Sequence, residues 1–103
     1  VFKLTKSGAE TVLHSFNGKD GYAPNALRDI HGTLYGTADL GGTDDSGTVF
    51  SMTLDGTTTV IWSFGQGNDG AYPRGLINVA GKLYGTTFQG GASGQGTVFA
   101  VAP

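Results

Sequence analysis

One pattern runs through this chain twice. Leu34-Tyr35-Gly36-Thr37, Gly41-Gly42 and Gly47-Thr48-Val49-Phe50 return as Leu83-Tyr84-Gly85-Thr86, Gly90-Gly91 and Gly96-Thr97-Val98-Phe99, each 49 residues later. Self-similarity at a fixed period of this size marks a repeat architecture, in which a unit buries its apolar surface only against its neighbours. The length, 103 residues, allows one ordinary domain at most.

Strand signals fill each copy. Phe2 and Leu4 share one side of an alternating run over Val1–Thr5. A turn at Lys6-Ser7-Gly8 leads to a second run, Thr11–Phe16, which ends at the turn Asn17–Gly21. Pro24 then reads as loop, Ala26–Ile30 as a third strand, His31-Gly32 as a tight hairpin turn and Thr33–Thr37 as a fourth strand. The second pass follows the same order. Phe50 and Met52 take the places of Phe2 and Leu4, Thr59–Phe64 matches the second strand, and Asn68-Asp69-Gly70 matches Lys19-Asp20-Gly21 after a one-residue insertion. Thr97–Val101 opens a third copy. The expected units are residues 1–48, residues 49–97, and the start of a third repeat at 98–103.

No window carries helical spacing with caps, so the expected class is all-β. The 19 glycines separate short apolar runs and set the spacing of the turns. Four strands in nearly 50 residues fit a β-propeller blade, with a period longer than a WD40 repeat and close to kelch. A β-solenoid, the rival, normally uses shorter coils. The expected fold is therefore two four-stranded propeller blades plus the first strand of a third.

Charge and composition exclude several classes. Charged residues are 14% and net charge is −2, with no basic stripe for nucleic acid. No apolar run is long enough for a membrane-spanning helix, so membrane insertion is not expected. Absent cysteine rules out disulfides and thiol chemistry. Val1 stands first, without Met or a leader, which reads as a processed product, an excised piece or the ordered part of something longer.

The run Leu-Tyr-Gly-Thr, Gly-Gly and Gly-Thr-Val-Phe, in register twice, resembles the GloVer-type tandem repeat over nearly the whole chain. Ala38 departs from it, since the second copy has Thr87. That repeat occurs in exported bacterial proteins that often carry a C-terminal sorting or anchoring signal. The resemblance implies an extracellular or cell-surface repeat protein and no catalytic residues.

Phe2, Phe50 and Phe99 are expected to pack between blades, with Val98 and Val101 at an assembly junction. Leu34, Leu83, Phe16 and Phe64 join that core set. Tyr35 and Tyr84 are expected at blade edges, each hydroxyl on a backbone partner. Gly36 and Gly85 sit inside strands, where glycine marks close backbone approach, as on a channel wall. Asp20-Gly21 and Asp69-Gly70 read first as turns and second as ligand groups. Asp44-Asp45 could offer oxygen to Ca²⁺, but the second copy has Ser93-Gly94-Gln95 there, so no metal and no cofactor is expected. His14 and His31 lack a partner acid at motif spacing. Trp62, Tyr72 and Arg74, with Asp69 and Asp20, form the candidate ligand-contacting set, although Trp62 alone favours the core.

These residues point to a non-enzymatic binding or adhesion propeller for carbohydrate or protein. The alternative is a self-assembling structural unit, a ring or filament without small-molecule ligand. The expected partners are the chain itself, or further repeats of a longer chain, and a glycan or surface protein. Glycosidase-type chemistry would need paired carboxylates, and the acids here are scattered across turns.

Overall fold

The structure is a computed structural model describing all residues, Val1–Pro103. Nine strands and no helix make up the chain: β1 (Phe2–Leu4), β2 (Glu10–Val12), β3 (Tyr22–Ile30), β4 (Thr33–Leu40), β5 (Thr48–Met52), β6 (Thr58–Ser63), β7 (Ala71–Val79), β8 (Lys82–Gln89) and β9 (Thr97–Val101). The all-β expectation holds. The strands form three antiparallel sheets, ordered β1-β2, β3-β4-β5-β6 and β7-β8-β9, and no closed sheet joins them.

The sheets are out of phase with the sequence repeat by half a unit. The complete sheet takes its first two strands from the first copy and its last two from the second. The reason lies in the connections. Gly41–Gly47 folds back on itself, with Gly47 N–H donating to Gly41 O at 3.0 Å, and keeps β4 beside β5. The segment after β2 instead leaves its sheet. It docks on the next one through Gly42 N–H to Gly18 O at 2.9 Å and Thr48 Oγ1 to Asp20 O at 3.0 Å.

Pro24 and Pro73 lie inside β3 and β7, not in loops. Both strands are first in their sheets, and each has a register shift just beyond the proline, between Pro24 and Ala26 and between Arg74 and Leu76. A residue without N–H is tolerated at an edge or a bulge. The hairpins are as expected. His31-Gly32 and Ala80-Gly81 have positive φ at both positions (52°, 86° and 52°, 85°), the type I′ pattern that matches strand twist.

The core lies between the second and third sheets. Val49, Phe64, Leu76 and Leu83 are buried there, with Ile30, Tyr35, Ile61, Phe99 and Val101 packed around them. Backbone bonds stitch the same interface. Tyr72 N–H donates to Ser46 O at 2.8 Å, and Asn25 Nδ2 reaches Pro73 O at 3.0 Å. Tyr35 and Tyr84 are thus half-buried in central strands, not at blade edges, and neither hydroxyl has a hydrogen-bond partner in the chain.

Burial separates repeat equivalents. Phe50 is fully buried, as expected, but Phe99 is only half-buried, Phe2 is 62% exposed and Leu4 64%. Val49 is fully buried, whereas Val98, at the same place one repeat later, is 79% exposed. The expectation that Phe2 packs between blades is therefore corrected within this chain, while Val98, expected at an assembly junction, lies on an open face. Phe2 has no sheet stacked beside it, and Val98 points away from the only neighbouring sheet.

Candidate functional site: the aromatic seat and the open strand edge

The repeated motif builds one local device. Gly36 on β4 stands across from Phe50 on β5, and Gly85 on β8 stands across from Phe99 on β9. A Cβ at residue 36 would lie 2.5 Å from Phe50 Cζ, and one at 85 would lie 2.5 Å from Phe99 Cζ. Each ring fills the place of the missing side chain. The bulge carbonyls, Ala26 O and Gly75 O, crowd the same point. The glycines are needed for ring and carbonyl, rather than for a channel wall.

A second phenylalanine closes each seat edge-on. Phe16 meets Phe50 at 5.0 Å between centroids and 65°, and Phe64 meets Phe99 at 5.1 Å and 67°. Offset and edge-to-face geometries of this kind favour the ring quadrupoles. Phe2 is the third copy of the seated phenylalanine. It has neither a facing glycine nor an edge-on partner, because β1 pairs with β2 alone.

His14 and Trp62 occupy one repeat position and do one job. His14 Nε2 lies 2.6 Å from Asp20 Oδ2, and Trp62 Nε1 donates to Asp69 Oδ2 at 3.1 Å. The other carboxylate oxygens accept backbone N–H groups, from Asn17 at 3.0 Å and Gly65 at 3.1 Å. Asp20 and Asp69 thus hold the exit of the second strand to the following turn. Behind them, Gly41 and Gly90 pass so close to Gly21 and Gly70 that a Cβ on either would meet the turn backbone, while Gly21 and Gly70 leave room for the Thr48 hydroxyl and for Thr87 and Thr97.

The remaining candidates separate. Arg74 pairs with Asp39 across the two large sheets, Nε to Oδ1 at 3.1 Å, and its guanidinium sits 4.9 Å from the Phe88 centroid. Tyr72 is half-buried with φ 60°, an uncommon conformation for a bulky residue, but Ala23 has the same conformation (58°) one repeat earlier. The strain belongs to the repeat's backbone, not to a Tyr72 site. Trp62 and Asp69 adjoin one groove, and Arg74 lines others. The set Trp62, Tyr72, Arg74 is not gathered into one pocket, and Trp62 is exposed instead of core.

Every one of the seven aspartates has a hydrogen-bond partner within the chain. Asp45 accepts Gly41 N–H at 2.9 Å, and Asp44 accepts the Gln66 amide at 2.5 Å. Asp55 accepts the Thr53 hydroxyl and then Thr57 N–H, which hold its carboxyl below the usual carboxylate range. No group of three or more His, Asp or Glu side chains converges on one point.

The groove beside Trp62 was missing from the sequence reading. It encloses about 470 Å³ and runs from Trp62, Phe64 and Asp69 along β9 from Thr97 to Ala102. Its floor is the free edge of β9. In the complete sheet the same edge, on β5, is covered by β6. The signal available beforehand was the strand count per copy, had it been set against the half-repeat phase.

No curated protein and no solved structure matches the chain. One family does: the sequence model of the Gloeobacter/Verrucomicrobia repeat matches residues 1–103. With the Gly–Phe seat present in both copies of the motif, and the match spanning every strand, this chain belongs to the Gloeobacter/Verrucomicrobia repeat family.

Proposed function

We propose that the chain is a non-enzymatic repeat module of propeller-type blades that works by association, foremost with further blades of its own kind. The observation that carries this reading is the contrast between Val49, fully buried between two sheets, and Val98, 79% exposed at the equivalent place. Ile77, 56% exposed, lies on the same open face, since it pairs with Tyr84 while Thr86 pairs with Val98. Surfaces built to stack do not stay open on a soluble monomer. Equal copies of a head-to-tail interface give a ring if the rotation closes and a filament if it does not. The non-enzymatic part is supported by the aspartates, each engaged in a local turn or sheet contact.

A binding or adhesion role rides on the same architecture. The groove holding the exposed Trp62 beside Asp69 favours it, since an aromatic face next to a carboxylate suits a glycan or an extended peptide. An extracellular or surface location follows the family resemblance to exported bacterial repeat proteins. Sedimentation velocity across a concentration series tests the primary reading. A mass rising above 10.5 kDa with concentration is expected, and a folded species that stays at 10.5 kDa overturns it. A glycan array tests the second.

A further inference from the structure

Two deficits within residues 1–103 are complementary. The β1-β2 pair has the strands that come third and fourth in a sheet, with nothing at the free edge of β1. The last sheet has first, second and third strands, with nothing at the free edge of β9. Phe2 is a seated-type phenylalanine without a seat, and Gly85 with Phe64 is a seat now filled by Phe99.

We propose that the β1-β2 hairpin of a second copy completes the last sheet, displacing β9 and placing its Phe2 over Gly85; this rests on the self-association reading above. The occupant is specified by the repeat itself. In the complete sheet, β4 is followed by β5 and β6, and β1-β2 is the repeat equivalent of that pair. The register is specified too. Tyr35 pairs with Ser51, and Tyr84 pairs with Ala100, so Tyr84 would face Lys3 of the incoming hairpin. Likewise Leu83 would face Leu4, as Leu34 faces Met52.

The exchange favours the hairpin for two reasons. It brings a fourth strand into the groove along β9, where β9 offers only a third. It also takes Phe2 and Leu4 out of water, both more than half exposed in the single chain, in exchange for Phe99 and Val101, which are only half-buried on β9. β9 is tethered and competes at high effective concentration, so it acts as a placeholder that slows association. Exchange of an equivalent element between copies is a low-cost route to assembly, and added strands gain affinity from main-chain hydrogen bonds.

Absence of native cysteine makes the test clean. A Lys3→Cys copy and a Tyr84→Cys copy are mixed and treated with a short bis-maleimide, and mixed-copy dimers are counted by mass spectrometry. The same mixture is made with β9 weakened, once by deletion of residues 97–103 and once by Phe99→Ala, which keeps every strand. The expected result is cross-linking between copies, faster on the order of 10-fold in either weakened background, and lost with Phe2→Ala. Assembly seen by light scattering without this cross-link in any background overturns the hairpin exchange and leaves self-association standing. A folded monomer in every background overturns both.

Discussion

Gly36 and Phe50 face each other across β4 and β5, and the Phe50 ring occupies the space a Cβ on residue 36 would need, 2.5 Å from Cζ. The pairing explains why Leu-Tyr-Gly-Thr and Gly-Thr-Val-Phe travel together. One supplies the seat and the other the ring. Gly36→Ala should therefore destabilise the chain although alanine has no quarrel with φ at this position. Overpacking of this kind costs about 1–3 kcal/mol. Chemical denaturation checks it, and a neutral result would mean that Phe50 can leave its seat freely.

Phe50 is fully buried and touches both Gly36 and Phe16. Phe50→Ala should cost about 3–5 kcal/mol, the range for truncating a core phenylalanine. The same change at Phe2, which is exposed, should cost less than about 1 kcal/mol in a dilute sample where copies are apart. Equal losses at the two positions would contradict the distinction between seated and unseated rings.

Asp69 joins the Trp62 indole to the Gly65 backbone. Asp69→Ala should lower stability by about 1–3 kcal/mol, since hydrogen bonds to a charged acceptor are among the stronger ones. It should also shift the emission of Trp62, the only tryptophan. Unchanged emission and stability would return Asp69 to the role of a free ligand group.

Ala80 sits at φ 52° in a type I′ turn, beside Gly81. Left-handed conformations disfavour alanine by about 1–2 kcal/mol, and asparagine tolerates them best after glycine. Ala80→Asn should raise the melting temperature, as read by circular dichroism. A lower melting temperature would show that the turn has another requirement.

Much of this fold was legible in the repeat. Nine strands, the I′ hairpins and the paired turns at Asp20 and Asp69 follow from spacing and from glycine placement. The phase of the sheets was not legible, because alternation tells which residues share a face but not which hairpin begins a sheet. Pro24 was read as loop for want of the bulge that accommodates it. The repeat assigns Phe2 to the packed set because its copies are packed, and its equivalence to Val49 does not tell how open Val98 is. Burial depends on what lies beside a strand, and at these two positions residues 1–103 supply no neighbour. The candidate ligand set is not gathered into one pocket, for a different reason. Trp62, Tyr72 and Arg74 are near in sequence, but Tyr72 and Arg74 flank the buried Pro73 on β7, while Trp62 ends β6 in the sheet before. Conversely, the equivalence of His14 and Trp62 is visible as a position and becomes intelligible only when each is seen on the equivalent aspartate, Asp20 for His14 and Asp69 for Trp62.

The central claim is that the open face bearing Ile77 and Val98 is a stacking surface for another blade. Light scattering of the native chain against Ile77→Asp measures it most directly, because Ile77 lies on β7 and keeps its place whether or not β9 is exchanged, with Thr43→Asp in an exposed loop as the control for added charge. The account predicts an assembled species for the native chain and the control, and a folded 10.5 kDa monomer for Ile77→Asp. A native chain that remains a folded 10.5 kDa monomer at micromolar concentration, or an Ile77→Asp chain that assembles as well as the native one, would contradict it.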